Sequence, residues 1–281
     1  MIILAATPLG NDGDASLRLR QAIESADLIA AEDTRRLRNL CSRLDLHPTA
    51  KIIAFHDHNE AQLAPELVAQ ASLGAQIVVV SDAGMPSVSD PGYRLANLAQ
   101  EQQVPITVIP GPSAVLTALA ISGLATNRFS FEGFAPRKTG EQLQIFGSLA
   151  DDERTLIFFE SPRRLAATLQ TMAATFGDER EAAVCRELTK TYEEVKRGSL
   201  AELSVWAQTR EILGEIVIVV SGANPRMVDA VAAFLPEVVE LVELGVRAKA
   251  AAAHVAKREG LRANELYRKY LEHSAGSGNK Y

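Results

Sequence analysis

Cysteine is scarce in this chain, with two residues, Cys41 and Cys185, among 281. Both lie in segments of apolar periodicity, and their spacing offers neither a disulfide framework nor a metal-binding motif. No apolar run is long enough to span a bilayer, because runs such as Ile216–Val220 have only the length of a strand. Met1 leads straight into the apolar segment IILAA, without a basic region or a cleavage site. We therefore expect a cytoplasmic protein with no membrane partner.

An excess of positive charge is also missing, since 29 basic residues stand against 35 acidic ones and the net charge is −6. This balance argues against a protein that coats nucleic acid with its whole surface. Residues 245–281 are the exception, with eight Lys or Arg, three Glu and a net charge of +5. A basic tail on an acidic body is typical of local nucleic-acid contact, although a solvated helical face explains the charge about as well.

Short apolar runs alternate with segments of helical periodicity over most of the chain. In the first part Leu19, Ala22, Ile23 and Ala26 recur at helical spacing, which places one apolar stripe on a helix. The alternation predicts an α/β fold whose first sheet is mostly parallel and buried on both faces. The predicted strands are Ile2–Ala6, Leu28–Ala31, Lys51–Phe55, Gln76–Ser81, Ile106–Ile109, Phe129–Phe134, Thr155–Phe159, Ala182–Arg186, Glu194–Arg197 and Glu215–Val220.

Two breaks divide the pattern into three parts. Pro110-Gly111-Pro112 interrupts the alternation, and a helix over Ser113–Ser122 follows. Pro225 closes the second run of strands, after which the periodicity is helical only, beginning with Val228, Val231, Ala232 and Leu235. We predict an N-terminal α/β domain over residues 1–113, a second α/β domain with a more mixed sheet over 114–224, and a small helical extension over 225–281.

Three loops rich in glycine and proline follow predicted strands, at Ala6–Asn11, Ser81–Tyr93 and Pro110–Ser113. Ligands of open α/β sheets bind at the carboxyl ends of strands, where glycine admits close approach and proline fixes loop shape. Asp82 and Asp90 suit an ammonium group or ribose hydroxyls. Ser113 either caps the next helix or leaves its amides open to a ligand carboxylate. No loop has the GxGxxG or GK[ST] pattern, so we predict a small-molecule site that is not an ordinary dinucleotide or nucleotide site.

Four polar segments also follow predicted strands, at Glu32–Arg35, His56–Glu60, Phe159–Arg164 and Arg186–Lys190. Asp33 or Thr34 can cap a helix, and structural ion pairs explain the two later segments. The same Arg, Lys and Glu residues equally suit a phosphate-bearing substrate and its proton transfers. The two histidines of the second segment have a spacing that is weak evidence for a metal, and we expect none.

The order of these motifs resembles a known family. ATPLGN, AEDTR, HDHNE, VVVSDAGMPSVSDPGY, PGPSA, GFAPRK, FFESPRRL, RELTKTYEE and GEIVIVV follow one another over residues 1–222. Together they resemble the ribosomal small-subunit RNA methyltransferases of the tetrapyrrole-methylase-like superfamily. The resemblance implies 2′-O-methylation of a cytidine ribose in the decoding region of 16S rRNA, with S-adenosylmethionine as cofactor. It also implies a homodimer that acts on the 30S subunit, and the two-domain class III methyltransferase fold with a helix-turn-helix-like extension that grips rRNA.

The resemblance further implies a cofactor bound in a folded form in the cleft between the two α/β domains. The residues expected to hold its methionine and ribose parts are Pro8, Gly10, Asp82, Ala83, Gly84, Met85, Pro86, Ser113 and Ala114. The residues expected to line the adenine side are Phe159, Leu188, Gly214, Glu215 and Ile216.

Methyl transfer to a ribose hydroxyl needs alignment for in-line attack and a group that assists loss of the proton. The candidates for that group are Asp33, Glu60, Glu187 and Lys190, with Arg35 positioning phosphate. Two other functions stay open at this point. The first is a methylase of a tetrapyrrole or another small molecule, against which the RNA-type motifs and the basic tail argue. The second is a non-catalytic rRNA-binding assembly factor with a vestigial cofactor site.

Overall fold

All ten predicted strands are present in the structure, a computed structural model that describes residues 1–223 and 233–277, with the backbone alone for 275–277. The strands are β1 (Ile2–Ala5), β2 (Leu28–Ala31), β3 (Lys51–Ala54), β4 (Ile77–Val80), β5 (Ile106–Ile109), β6 (Phe129–Phe134), β7 (Thr155–Glu160), β8 (Glu181–Arg186), β9 (Glu194–Ser199) and β10 (Ile216–Val220). The helices of the described residues are α1 (Leu17–Ser25), α2 (Thr34–Arg43), α3 (Asp57–Ser72), α4 (Tyr93–Glu101), α5 (Ala114–Ser122), α6 (Thr139–Leu149), α7 (Leu165–Phe176), α8 (Leu200–Gln208), α9 (Leu235–Glu243), α10 (Ala248–Glu259) and α11 (Ala263–Ser277).

The first sheet has the order β3-β2-β4-β1-β5, and all of its pairs are parallel. Successive side chains of a strand point to opposite faces, so near-continuous apolar strands supply two cores at once. Ile3, Ile29 and Val78 join the core beneath α1 and α2. Ile2, Leu28 and Ile77 join the core beneath α3 and α4. This is the buried parallel sheet that the sequence predicts, and each strand end differs from the predicted one by at most one residue.

The second sheet has the order β6-β7-β10-β8-β9 and is mixed, as predicted. Only the β6–β7 pair is parallel, and the other three pairs are antiparallel. Helices α6, α7 and α8 cover one face around Phe158 and Ile218. Helix α5 covers the other face around Ile157 and Val217, although it directly follows β5 of the first sheet along the chain.

Residues Met1–Gly222 form one compact unit that holds both sheets, and Ala223–Tyr281 form a second unit. The predicted domain boundary between residues 113 and 114 therefore falls inside the first unit and stays a prediction. The predicted helical stripe of Val228, Val231 and Ala232 lies outside the described residues, as does the basic residue Lys280.

The described part of the C-terminal unit is mainly helical, and α9, α10 and α11 enclose a small core around Val238, Val255 and Leu266. Its charge is more balanced than the tail alone suggests, because residues 223–281 contain nine basic and seven acidic residues. Arg258 of α10 makes paired hydrogen bonds to the carboxylate of Glu237 in α9. Across both described ranges, every helix is too short or too polar to cross a membrane.

Glu60 fixes the loop that precedes α4. Its side chain is buried, and one carboxylate oxygen accepts hydrogen bonds from the backbone N–H groups of Gly92, Arg94 and Leu95 at 2.9–3.2 Å. The first N–H groups of a helix have no partner within the helix, and a carboxylate there also interacts favourably with the helix dipole. Glu60 of α3 therefore caps α4 from a distance in sequence and holds the end of the Ser81–Tyr93 loop in place.

Glu60→Ala is expected to destabilise the protein by about 2–3 kcal/mol, because three buried N–H groups lose a charged acceptor. Glu60→Gln keeps one acceptor oxygen and is expected to lose about 1 kcal/mol. Urea denaturation measures both free energies of unfolding, with Glu66→Gln at an exposed position of the same helix as the control. If Glu60→Ala has the stability of wild type, Glu60 is not the cap of α4.

Candidate active site

The structure brings the three Gly/Pro-rich loops together at the carboxyl edge of the first sheet. Thr7 and Gly84 exchange two backbone hydrogen bonds, at 2.9 and 3.0 Å, which join the β1 loop to the β4 loop. The amide of Ala6 donates to the carbonyl of Ile109, which holds the β5 loop beside them. Neighbouring parallel strands end at the same edge, so loops far apart in sequence meet there.

A cavity of about 400 Å³ opens between this edge and the ends of the second sheet. Its volume lies within the range of small-molecule and cofactor sites. We call it the large cavity. Its lining residues are Leu9, Glu32, Arg36, Asp82, Ala83, Gly84, Met85, Val88, Ser89, Asp90, Ser113, Ala114, Val115, Phe134, Phe159, Glu160, Ser161, Pro162, Leu188, Gly214, Glu215, Ile216 and Val217.

One side of the large cavity is apolar. The ring of Phe159 packs edge-on against the rings of Phe131 and Phe134, with centroids 4.8 and 5.4 Å apart. At Gly214, which has a φ of +96°, an added Cβ would lie 2.5 Å from the Glu187 carboxyl carbon. Glycine is therefore required there by both conformation and space. An aromatic ring of a ligand fits this side.

The opposite side of the large cavity carries carboxyl groups from neighbouring strand ends. Glu32, after β2, accepts a hydrogen bond from the amide of Asp82, after β4, and Asp82 accepts one from the amide of Asp33, both at 3.0 Å. Burial raises the pKa of Glu32, and the carboxylates of Asp82 and Asp57 add to the effect against the Asp82 amide and Arg36. Burial also raises the pKa of Asp82, although Arg36 opposes it. Such a corner suits a positively charged part of a ligand.

Asp90 belongs to the same acidic corner and lines the large cavity. Burial, followed by the charge of Glu32, raises the pKa of Asp90 to about 7 even though Ser81 opposes the shift by a hydrogen bond. Asp90 therefore exchanges its proton in the physiological pH range. From the sequence, by contrast, Asp90 is as easily explained as a residue that shapes a turn.

A second cavity, of about 200 Å³, adjoins the first, and we call it the polar cavity. It shares Leu9, Glu32, Arg36, Asp82, Ala83 and Glu215 with the large cavity. Its further lining residues are Thr7, Pro8, Gly10, Ala31, Asp33, Leu37, Asn39, Leu40, Arg43, Val80, Ser81 and Lys190.

Lys190 connects the second sheet to the loop after β1. Its ammonium nitrogen lies 2.8 Å from Glu187 Oε1 and 3.1 Å from Glu215 Oε2. Its aliphatic stem lies so close to Gly10 that an added Cβ would approach Lys190 Cγ to 2.2 Å. Burial by itself lowers the pKa of Lys190, but the hydrogen bonds and charges of Glu187 and Glu215 outweigh burial and raise it. Lys190 is therefore a cation at neutral pH.

The RELTK segment that carries Lys190 has an unusual backbone. Glu187 and Thr189 have φ values of +50° and +67°, which residues other than glycine rarely adopt. Glu187 accepts a hydrogen bond from the amide of Glu215 and donates its own amide to the Glu215 carbonyl. Strained residues persist where the surrounding contacts determine them, and they cluster at functional sites.

The residues predicted to bind a cofactor divide between the two cavities. Those that line the large cavity are Asp82, Ala83, Gly84, Met85, Ser113, Ala114, Phe159, Leu188, Gly214, Glu215 and Ile216. Pro8 and Gly10 line the polar cavity. Pro86 is buried directly after Met85, outside both linings. Ser113 is the N-cap residue of α5, but its side chain makes no cap hydrogen bond.

The residues predicted to act in proton transfer do not form one group. Asp33 and Lys190 line the polar cavity, and Glu187 lies beside Lys190. Asp33 also caps α2, and hydrogen bonds from the side chain and backbone of Arg35 lower its pKa to about 2. Arg35 is exposed on α2 beside Asp33. Glu60 lies outside both linings and caps α4.

Structural ion pairs account for part of the two later polar segments. Arg164 pairs with the buried carboxylate of Glu160, which also accepts a hydrogen bond from Thr168. Arg186 pairs with Glu194 across β8 and β9 at 3.2 Å. Within the residues described, no group of three or more His, Cys, Asp or Glu side chains is placed to hold a metal ion.

Sequence reasoning missed several residues of the large cavity, chiefly Leu9, Glu32, Phe134 and Val217. Glu32 had a signal, since it belongs to a polar segment that follows a strand. Phe134 and Val217 had none, because an apolar residue at a strand end does not reveal whether it faces a core or a cavity.

Asp90→Asn is expected to stabilise the ligand-free protein at pH 8, with a gain that shrinks as the pH falls towards 4. The native state holds the Asp90 proton up to a pKa of about 7, whereas the unfolded chain releases it near its ordinary value of 3.8. Ionisation therefore favours the unfolded state increasingly between these two values, and by a constant amount above pH 7. Asparagine cannot ionise and removes this effect.

Thermal unfolding midpoints at pH 5.0, 6.5 and 8.0 measure the effect, with Asp14→Asn at an exposed position as the matched control. If the difference in unfolding midpoint between Asp90→Asn and wild type does not change with pH, burial does not raise the pKa of the Asp90 carboxyl group.

The chain is similar to two sets of known proteins in sequence. The profile of the family "Tetrapyrrole (Corrin/Porphyrin) Methylases" matches residues 1–204. A protein of Mycobacterium tuberculosis named "Ribosomal RNA small subunit methyltransferase I" is 46% identical over 278 residues, which cover 99% of this chain and 96% of that protein. The protein of the same name from Escherichia coli O157:H7 is 37% identical over 273 residues, which cover 96% and 94%.

Solved structures share the fold. The methyltransferase CobJ has a TM-score of 0.60 at 17% identity and covers 79% of this chain and 94% of its own. A uroporphyrin-III C-methyltransferase from Thermus thermophilus, complexed with S-adenosylhomocysteine, has a TM-score of 0.56 at 15% identity and covers 78% and 96%. From the profile match and the full-length relatives, this chain belongs to the tetrapyrrole (corrin/porphyrin) methylase family, in the group of the small-subunit ribosomal RNA methyltransferases I.

Proposed function

We propose that this protein is an S-adenosylmethionine-dependent methyltransferase that methylates the ribose 2′-oxygen of a cytidine in the decoding region of 16S rRNA, within the 30S subunit. The observation that carries the proposal is similarity at 37–46% identity, over nearly the whole chain, to proteins named for methylation of small-subunit rRNA. The presence of a polar cavity beside a cofactor-sized one supports it further.

The large cavity fits S-adenosylmethionine by its chemistry. Glu32, Asp82 and Asp90 form an acidic corner for a ligand with a sulfonium and an ammonium group, and Phe159 with Leu188 offers an apolar side for adenine. Gly84, at a φ of +82°, leaves room for close approach, since an added Cβ would lie 3.3 Å from Leu9. These residues would hold the cofactor, which supplies an electrophilic methyl group on positively charged sulfur.

The chain itself must hold the ribose hydroxyl in line with the methyl group and accept the hydroxyl proton. With the cofactor bound, its methyl group would pass to the ribose oxygen, the electron pair of the broken carbon–sulfur bond would stay on sulfur, and the hydroxyl proton would pass to an acceptor supplied by the chain. Proximity and orientation supply much of the rate of such a step. We expect the reacting oxygen at the wall shared by the two cavities, since a cofactor in the large cavity and a ribose in the polar cavity would both border this wall.

Glu32 is our candidate for the proton acceptor on that wall. It borders both cavities, and its raised pKa makes it a better base than Asp33, whose pKa is about 2. Lys190 is protonated at neutral pH and therefore cannot accept the proton, but its charge stabilises the oxygen as the proton leaves. In this assignment Glu187 and Glu215 position Lys190, and Glu60 positions the loop.

Glu32→Gln is expected to lower kcat by about 10²–10⁴-fold, the usual contribution of a general base, and to abolish the loss of kcat at acid pH. The wild-type kcat is expected to fall as the pH drops below the raised pKa of Glu32, because the base is then protonated. Glutamine keeps the oxygen that accepts from the Asp82 amide, so the loop is preserved.

Asp33→Asn is the matched control, since it retains the α2 cap and is expected to change kcat less than tenfold. Single-turnover rates at saturating cofactor between pH 5.5 and 9 test whether Glu32 accepts the proton. Equal pH profiles for Glu32→Gln and wild type would remove Glu32 from the proton-transfer step.

The function itself is tested with radiolabelled S-adenosylmethionine and 30S subunits from cells that lack this gene. The expected product is one additional 2′-O-methyl group on a decoding-region cytidine, located by mass spectrometry of 16S rRNA fragments. Free 16S rRNA and a uroporphyrinogen or precorrin serve as comparison acceptors. Label on the tetrapyrrole alone would establish a small-molecule methylase, and subunit binding without any transfer would establish a non-catalytic assembly factor.

The homodimer stays a prediction that rests on the resemblance, and the cytoplasmic location stays a prediction that rests on the composition of the sequence.

A further inference from the structure

The polar cavity has a cationic stripe that a cofactor site does not explain. Arg36, Asn39 and Arg43 of α2 all line it, and their spacing at i, i+3 and i+7 places them on one face of the helix. The side chains of Arg36 and Arg43 are 61% and 55% exposed. Solvent and a ligand that enters from solvent can therefore both reach the two guanidinium groups.

Helix α2 as a whole is basic. It carries four arginines and no acidic residue in Thr34–Arg43, and the acidic partners of these arginines come from outside the helix. Arg36 Nε lies 3.4 Å from Asp82, and Arg43 is held by the carboxylate of Asp12. A guanidinium fixed by a carboxylate on one side keeps further N–H donors for a phosphate. The C-terminal unit, in contrast, has nearly balanced charge.

The chemistry of the polar cavity corresponds to one nucleotide. The guanidinium groups of Arg36 and Arg43 flank the exposed amide of Asn39 along α2. A nucleotide within RNA has a phosphate on each side of its base, so it needs a cation on each side of the group that contacts the base. Carboxylates of Asp33 and Glu215 lie on the lining and can accept hydrogen bonds from an exocyclic amine or from ribose hydroxyls. The wall shared with the large cavity lies at one side, next to Glu32 and Asp82.

We propose that the polar cavity receives a single ribonucleotide turned out of the RNA, with Arg36 and Arg43 on its flanking phosphates and Asn39 on its base. Enzymes that modify a nucleotide within a folded nucleic acid take it out of the stack into such a pocket. The inference rests on the proposed function, and it assigns the first grip on the RNA to α2 of the first unit, where the resemblance assigns it to the C-terminal extension.

The test uses Arg43→Gln and Asn39→Ala, because both residues line the polar cavity and lie outside the lining of the large one. Arg38→Gln is the matched control. It removes the same charge from the same helix, but Arg38 lies outside both linings. Arg247→Gln and Lys249→Gln together test the C-terminal unit.

Each purified variant is measured for S-adenosylmethionine affinity by calorimetry, for the KM and kcat of methyl transfer to undermethylated 30S subunits, and for RNA affinity across a salt series. We expect Arg43→Gln and Asn39→Ala to raise the KM for subunits about tenfold, with cofactor affinity within twofold of wild type. Arg43→Gln is also expected to lower the salt dependence of RNA binding by about one counterion. Arg38→Gln is expected to change the KM less than threefold.

The inference is overturned if the two α2 variants bind and methylate subunits as wild type does while the C-terminal variant does not. It is also overturned if their loss is in cofactor affinity. Arg43→Lys keeps the positive charge but loses the paired hydrogen bonds of the guanidinium group, and it replaces Arg43→Gln if that variant does not fold. Asn39→Ala removes no side-chain hydrogen bond found among the described residues. Failure of the wild-type protein to methylate RNA overturns the proposed function. Normal wild-type activity, together with α2 variants that behave as wild type does, overturns only this inference.

Discussion

The reciprocal hydrogen bonds between neighbouring strand ends are the constraint on which the rest of the site depends. The backbone bonds between Thr7 and Gly84 join the ends of β1 and β4. Glu32 accepts a hydrogen bond from the amide of Asp82, and Asp82 accepts one from the amide of Asp33, which joins the ends of β2 and β4. Each bond satisfies a backbone group that would otherwise be left unpaired at a partly buried edge. Because the bonds involve the carboxyl groups themselves, the fold that shapes the cavity also brings like charges together. The raised pKa values of Glu32 and Asp82 follow chiefly from their burial there.

The two cavities divide the chemistry by charge. The large cavity has an acidic corner opposite an apolar side, whereas the polar cavity has Arg43 and Lys190 in addition to Arg36, which lines both cavities. A cationic cofactor and a polyanionic substrate need opposite surroundings, and a shared wall is the place where they can meet. Lys190 reaches the polar cavity from the loop after β8 of the second sheet, and its two glutamates keep it charged and in position. Residues that follow strands of both sheets therefore line the polar cavity.

Several features of the site were predictable because they depend on local sequence. Glycine and proline punctuate the loops after β1, β4 and β5, and the rule that ligands bind at carboxyl ends places these loops at one edge. The lining of the large cavity by Asp82–Met85 and Ser113–Ala114 follows from that rule. The choice between Glu32 and Asp33 was not predictable in this way. They are adjacent in sequence, and only the folded structure buries Glu32, which raises its pKa, and places Arg35 against Asp33, which lowers the pKa of Asp33.

The sequence by itself determined the order and type of the elements, because strand and helix periodicities are properties of neighbouring residues. It also determined the family, through motifs spread over nearly the whole chain. The tertiary structure alone decided which charged residues act together. Glu60 was turned into a helix cap by the approach of α4, and Arg258 of the basic tail was paired with Glu237 of α9. Charge acts through space at distances of a few ångströms, so its effect is fixed only when the chain has folded.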